Sequence, residues 1–225
     1  MPPDYWQTLR LTLALAACTT GLLLVLGLPL AYGLAYGRWR LRPLLEAVVS
    51  LPLVLPPTVI GFYLLLAFSD STALGRFLVN ELGLSLNFTF AGILVGSVVY
   101  SLPFMVQPMQ AGFGQVPPSL REAAYTLGKS PLTTLWRVLL PAMKPPLLSG
   151  IVLTFAHTLG EFGVVLMLGG NLPGRTRVAS IAIYDEVQSL RYAQANLYAG
   201  TLLAVAFVVL VALYWGTRRG TARLS

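Results

Sequence analysis

Residues 11–36 read LTLALAACTTGLLLVLGLPLAYGLAY, without one charged side chain. A helix rises about 1.5 Å per residue, so about 20 apolar residues cross the roughly 30 Å hydrocarbon core of a bilayer. This run is long enough. It is apolar continuously rather than at alternate positions, which excludes a transmembrane β-strand. Four further stretches read the same way: Leu44–Phe68, Phe90–Gly112, Leu147–Leu168 and Asn196–Trp215. The expected fold class is therefore all-α, a polytopic transmembrane helix bundle of five spans forming a single domain over residues 1–225.

The composition agrees. Of 225 residues, 56% are hydrophobic and only 10% charged, too few charges to cover the surface of a water-soluble fold of this size. The net charge of +7 does not point to nucleic acid, because the basic residues are spread over short segments between apolar runs. Cys18 is the only cysteine, so no intrachain disulfide is possible. The start, Met1-Pro2-Pro3-Asp4, lacks a basic segment and leads into an apolar run too long for a cleaved signal, so no removable leader is expected.

Basic residues in the connecting segments encode orientation. With the N-terminus outside, the inner segments hold Arg38, Arg40, Arg42, Arg121, Lys129, Arg137, Lys144, Arg218, Arg219 and Arg223, and the outer ones Arg10, Arg76, Arg175, Arg177 and Arg191. The two-to-one bias predicts N-out, C-in. Asp4, Asp70, Glu81, Asp185 and Glu186 then all lie outside. Tyr5 and Trp6 at one end, with Tyr214 and Trp215 at the other, read as interfacial anchors. The outer segment Leu172–Ala195 contains a mildly apolar stretch, Val178–Val187, which reads as a surface-lying or re-entrant helix; a sixth span is the alternative.

Two spans are irregular. The second carries Pro52, Pro56 and Pro57, which remove backbone donors and prevent a regular helix. Such backbone survives in a bilayer only under protein or beside a water-filled cavity, which places Pro56, Pro57 and Thr58 near a pathway. The fourth carries Ala156-His157-Thr158-Leu159-Gly160-Glu161-Phe162-Gly163. An acidic group there must face protein or water. His157, one turn away, is the expected hydrogen-bond partner of Glu161. His157, Gly160, Glu161 and Gly163 read either as a gate or pathway element or as a network that orients the bundle. Gly33 with Gly37 and Gly92 with Gly96 have the spacing that lets helices approach closely. Pro103, Gln107, Pro108 and Gln110 predict a kinked, polar inner half of the third span, turned from lipid.

The inner loop, about residues 114–146, has its own structure. Ser119 and Glu122 have capping-box spacing after Pro117-Pro118, Gly128 suits a helix C-terminal turn, and a second short helix is expected over Pro131–Leu139, ending before Pro141. Gly128-Lys129-Ser130 mimics the tail of a phosphate-binding loop, but that motif needs glycine where Ala123 stands. No catalytic or metal-ligating set is present, so no enzyme activity is expected.

Glu122-Ala123-Ala124, then Gly128, then Val138-Leu139-Leu140-Pro141 resembles the EAA loop of ABC importer permeases. That resemblance implies a type I importer permease whose loop seats in a groove of a separate ATPase through Glu122, Ala123, Ala124, Leu127, Gly128, Leu140 and Pro141. ATP and Mg would be bound by that ATPase and no cofactor by this chain. Within the family, Leu51–Gly61, Leu159–Gly163 and Gly170–Arg177 resemble the molybdate permeases, with tungstate and sulfate permeases as alternatives. The resemblance implies import of an oxyanion across the cell membrane with an external binding protein. Asn171, Arg175 and Arg177 suit an outer mouth or docking face, ordinary loop charge being the other reading. A secondary transporter with His157 and Glu161 as a proton relay competes with this reading; a non-transporting scaffold fits the broken second span less well. Five spans are few to enclose a path, so a two-fold homodimer is expected, served by two ATPase copies.

Overall fold

The computed structural model describes residues 2–221, apart from the side chains of residue 213 and of 216–221. Of the basic residues counted on the inner side, Arg223 lies outside the described residues, as do the side chains of Arg218 and Arg219. Twelve α-helices follow in order among the described residues: α1 Tyr5–Tyr36, α2 Arg42–Val54, α3 Pro57–Ala67, α4 Ala73–Leu82, α5 Phe90–Gln115, α6 Pro118–Thr126, α7 Pro131–Thr134, α8 Leu140–Ala142, α9 Lys144–Gly160, α10 Gly163–Gly169, α11 Ala179–Gln188 and α12 Tyr192–Thr221. A π-helical turn, Leu135–Leu139, joins α7 to α8.

Three helices are long and apolar enough to cross a membrane alone: Tyr5–Tyr36, Phe90–Gln115 and Tyr192–Ala212. The other two expected spans are broken. α2 and α3 meet at 114°, so 44–68 is a bent pair rather than one rod. α9 ends at Gly160 and α10 resumes at Gly163, which interrupts 147–168. At its other end α9 turns by 81° from the helical segment Pro131–Ala142.

α1 lies along α5 and α9. Its buried stripe, including Thr8, Thr12, Leu15, Thr19, Leu23, Gly27, Ala31 and Leu34, recurs every three or four residues, as one helical face must. Several of these residues are small, which lets the backbones approach closely there. Gly27 does this: a Cβ there would stand 3.1 Å from Met105. Gly33, expected at such a contact, has open space around it, and Gly37 is the extended residue that ends α1. Gly92 is close only to its own preceding loop at Leu86. Gly96 does sit at an interface, where a side chain would overlap Leu168 of α10.

α11, ten residues long and about 15 Å, is too short to span. It packs on α12 and α1, and Thr12 of α1 accepts the Ala179 N–H at 2.8 Å, capping it from outside the segment. Tyr5 is not an interfacial anchor. It is 4% exposed, its ring lies 5.0 Å from that of Tyr198, and its hydroxyl pairs with Thr201. Trp6 is exposed, as anchoring requires. Gln107 and Gln110 turn toward α2, donating to Ser50 and Glu46 respectively.

Candidate functional site

The two breaks meet. At the first, Leu55 and Pro56 are extended, with ψ of 139° and 138°. A residue before proline is driven from the helical region, and Leu55 and Pro56 each precede one. Pro57 then opens α3, where its missing N–H costs nothing. At the second, Glu161 is extended (ψ 128°), and its carbonyl accepts a hydrogen bond from Ser180 Oγ of α11 at 2.6 Å. The freed backbone is thus satisfied within the protein, as a bilayer demands.

Between the breaks lies a cleft of about 460 Å³ lined by Pro57, Thr58, Tyr100, Ala156, His157, Gly160, Glu161, Phe162 and Gly163. Six of the residues predicted for a pathway line it together: Pro57, Thr58, His157, Gly160, Glu161 and Gly163. Pro56 does not line it; it caps α3 from the break.

His157 and Glu161 are not hydrogen-bonded partners. His157 Nδ1 pairs with Ser101 Oγ at 3.0 Å, and its ring stacks on Phe104 at 3.9 Å, with Tyr100 at 5.0 Å. The helix ends at Gly160, so Glu161 leaves the register that would have set it over His157. The Glu161 side chain is 4% exposed, and neither carboxylate oxygen has a hydrogen-bond partner among the described residues. It lies near Ser97 Oγ, itself unpartnered, without a hydrogen bond of ordinary geometry. An unpaired polar group in such a place is costly, so this carboxyl does not stabilise the fold around it. The relay geometry expected of a His157–Glu161 pair is absent.

Sequence reasoning missed Ser97, Tyr100, Ser101 and Phe104. They stand at positions i, i+3, i+4 and i+7 on α5 and lead to Gln107, so helical spacing read back from that glutamine would have found them. Ser180 carried no such signal.

In the segment after α10, Asn171 and Arg175 are exposed. Arg177 is not a free cation. Its side chain is 12% exposed and reaches Asp4 at 3.1 Å, Asp185 at 2.8 Å and Glu186 at 3.8 Å. Three carboxylates surround it, although its Nε has no hydrogen-bond partner among the described residues, and it ties the start of α1 to α11.

The inner loop is ordered at both ends of α6. Pro117 caps it and Pro118 takes its first position, with no side-chain cap; the Ser119 capping box does not form, because the proline starts the helix one residue earlier. At the other end the Gly128 N–H donates to Tyr125 O at 2.9 Å and the Lys129 N–H to Ala124 O at 3.0 Å. This is a Schellman turn with Gly128 at φ +70°. Glu122 and Ala123 face solvent, Ala124 is buried, and Leu127 is 75% exposed. The second short helix does not stop before Pro141. The π-turn there bonds Leu140 N–H to Leu135 O, and Pro141 sits in the first turn of α8, where no donor is needed. Leu140 is buried and Pro141 exposed.

A family model of binding-protein-dependent transport system inner membrane components matches residues 24–216. The molybdenum transport system permease protein ModB of Azotobacter vinelandii is 50% identical over 218 residues, 96% of each chain. The sulfate transport system permease protein CysT of Salmonella typhimurium is 35% identical over 189 residues, 84% of this chain and 68% of its own. Among solved structures, a chain of a bacterial alginate ABC transporter in complex with an alginate pentasaccharide-bound periplasmic protein superposes with a TM-score of 0.78 at 19% identity, over 97% of this chain and 80% of that one; at that identity the likeness is one of fold. The chain belongs to the binding-protein-dependent transport system inner membrane components, the membrane-embedded permeases of ABC importers.

Proposed function

We propose that this permease carries molybdate into the cell as part of an ATP-driven importer. The observation that carries this reading is the 50% identity to a molybdenum transport permease along 96% of both chains. The sulfate permease is a poorer match at 35%, which supports molybdate over sulfate as cargo. The cleft between the two helix breaks supports a gated path: apart from Tyr100 of α5, its walls are helix ends and the residues of the break after α9. Two copies would face each other across that path, each seating its α6 in one of two ATPase subunits, with ATP and Mg held by the ATPase. An external binding protein would deliver the anion at the outer face beside Asn171 and Arg175. The charge bias of the connecting segments supports N-out, C-in.

Reconstitution of the permease with its ATPase and binding protein tests this. Molybdate-loaded binding protein should stimulate ATP hydrolysis and drive molybdate uptake, with sulfate far less effective. Equal stimulation by sulfate, or uptake without ATP, would overturn the assignment.

A further inference from the structure

α6 has two faces. Glu122 and Ala123 are exposed, whereas Ala124 is buried and Arg121, three positions before it on the same face, is half-buried. The Arg121 guanidinium carbon stands 4.4 Å from the centroid of the Tyr36 ring. Tyr36 is the last residue of α1. Its hydroxyl donates to the carbonyl of Phe113 at 2.9 Å, two residues before the end of α5. Phe113 is fully buried, and its ring meets those of Tyr32 and Tyr36 edge-on at 5.5 and 5.8 Å.

These contacts join three helix ends at one point. α5 is joined to α6 through the chain itself, by way of Val116 and Pro117. α1 has no such continuity. The main helical neighbours of α6 are α7 and the π-turn of its own loop; toward α1 its side chains are Arg121, on the Tyr36 ring, and Tyr125, close to the Tyr32 hydroxyl. A guanidinium suits the position over Tyr36, because it stacks flat on a ring and keeps its charge at any physiological pH. α1 in turn lies along both α5 and α9, the helices that supply Tyr100, His157 and Gly160 to the cleft.

We infer that Arg121 is a positioning residue that transmits movement of the loop helix to α1 through its contact with Tyr36, separately from any grip on the ATPase. This rests on the coupling-loop reading above. On this account Glu122 and Ala123 meet the partner while Arg121, on the opposite face, faces the bundle.

The test uses the reconstituted complex with molybdate-loaded binding protein. Arg121→Ala and Tyr36→Leu should each leave the ATPase co-purifying at the wild-type ratio while molybdate transported per ATP hydrolysed falls about fivefold, the scale of one lost cation–π contact. The double variant should fall no further than the worse single variant, because both remove one contact. Arg121→Lys and Tyr36→Trp, which keep a cation and an aromatic face, should retain most of the ratio. An unchanged ratio in Arg121→Ala, losses that multiply in the double variant, or loss of the ATPase from the Arg121→Ala complex would each overturn the inference. Should Tyr36→Leu not assemble, Arg121→Ala against Arg121→Lys decides alone. Failure of the underlying reading shows differently, as a wild-type permease that holds no ATPase.

Discussion

Gly163 lies directly against Pro57: a Cβ on Gly163 would stand 3.0 Å from both Cβ and Cγ of the proline ring. The break before α10 and the break before α3 therefore touch, and no side chain fits between them. A pyrrolidine ring cannot rotate out of the way, so the backbone segments themselves would have to part.

Gly163→Ala should accordingly cost about 1–3 kcal/mol through overpacking and lower uptake, and Gly163→Val should lower both further. Gly160 lines the same cleft but has nothing within 4 Å of a Cβ, so Gly160→Ala should leave the thermal midpoint unchanged. Thermal unfolding in detergent together with uptake in vesicles measures the contrast; equal tolerance at the two positions would contradict the close approach.

One of the two breaks is legible in the sequence and the other is not, for a physical reason. Proline's effect is covalent: Pro56 and Pro57 in succession remove two donors and bias both Leu55 and Pro56 away from helix, whereas the single prolines at 29, 52, 103 and 108 lie inside helices. Gly160-Glu161-Phe162-Gly163 contains no such pair. Its break depends on Ser180, 19 residues away, accepting the task of satisfying the Glu161 carbonyl, and that is a tertiary fact. The same distinction explains His157, whose partner proved to be Ser101 on another helix, and Arg177, whose charge is visible in sequence while its three carboxylate neighbours are not. The Schellman turn at Gly128 was readable because its hydrogen bonds stay within the local chain.

Arg177 and Arg175 should separate cleanly. Arg177→Ala leaves Asp4 with only the Tyr198 hydroxyl, and the buried Glu186 (5% exposed) with Arg191 as its remaining ion-pair partner. Breaking a largely buried ion pair from one side costs about 3 kcal/mol. Arg175 is exposed, so Arg175→Ala should change stability by less than about 0.5 kcal/mol. If Arg175 meets the binding protein, its loss should instead raise the concentration of binding protein needed for half-maximal ATPase stimulation. A destabilised Arg175→Ala with a normal Arg177→Ala would reverse these roles.

Glu161 should show opposed effects on stability and transport. Its buried carboxyl lacks a partner among the described residues, so it opposes the fold it sits in. Glu161→Met, similar in length and without orphaned oxygens, should raise the thermal midpoint by about 2–4 °C, the shift per kcal/mol for a chain of this size. Molybdate uptake should fall at the same time, since strain of this kind is kept where function needs it. A lowered midpoint with intact uptake would instead make the carboxyl a structural element.

Leu127 offers the sharpest test of the inner loop. An apolar side chain 75% exposed at the end of α6, beside exposed Glu122 and Ala123, contributes little to the isolated chain, so Leu127→Glu should leave the thermal midpoint where it is. In an interface core the same charge would be desolvated without a partner, which costs several kcal/mol. The ATPase should therefore no longer co-purify. Gly128→Ala is the complementary change. At φ +70° an L-residue is strained by about 1 kcal/mol, enough to loosen the Schellman turn without adding charge. It should weaken co-purification modestly while hydrolysis per bound ATPase remains normal. If Leu127→Glu retains the ATPase at the wild-type ratio, the exposed face of α6 is not where that subunit binds.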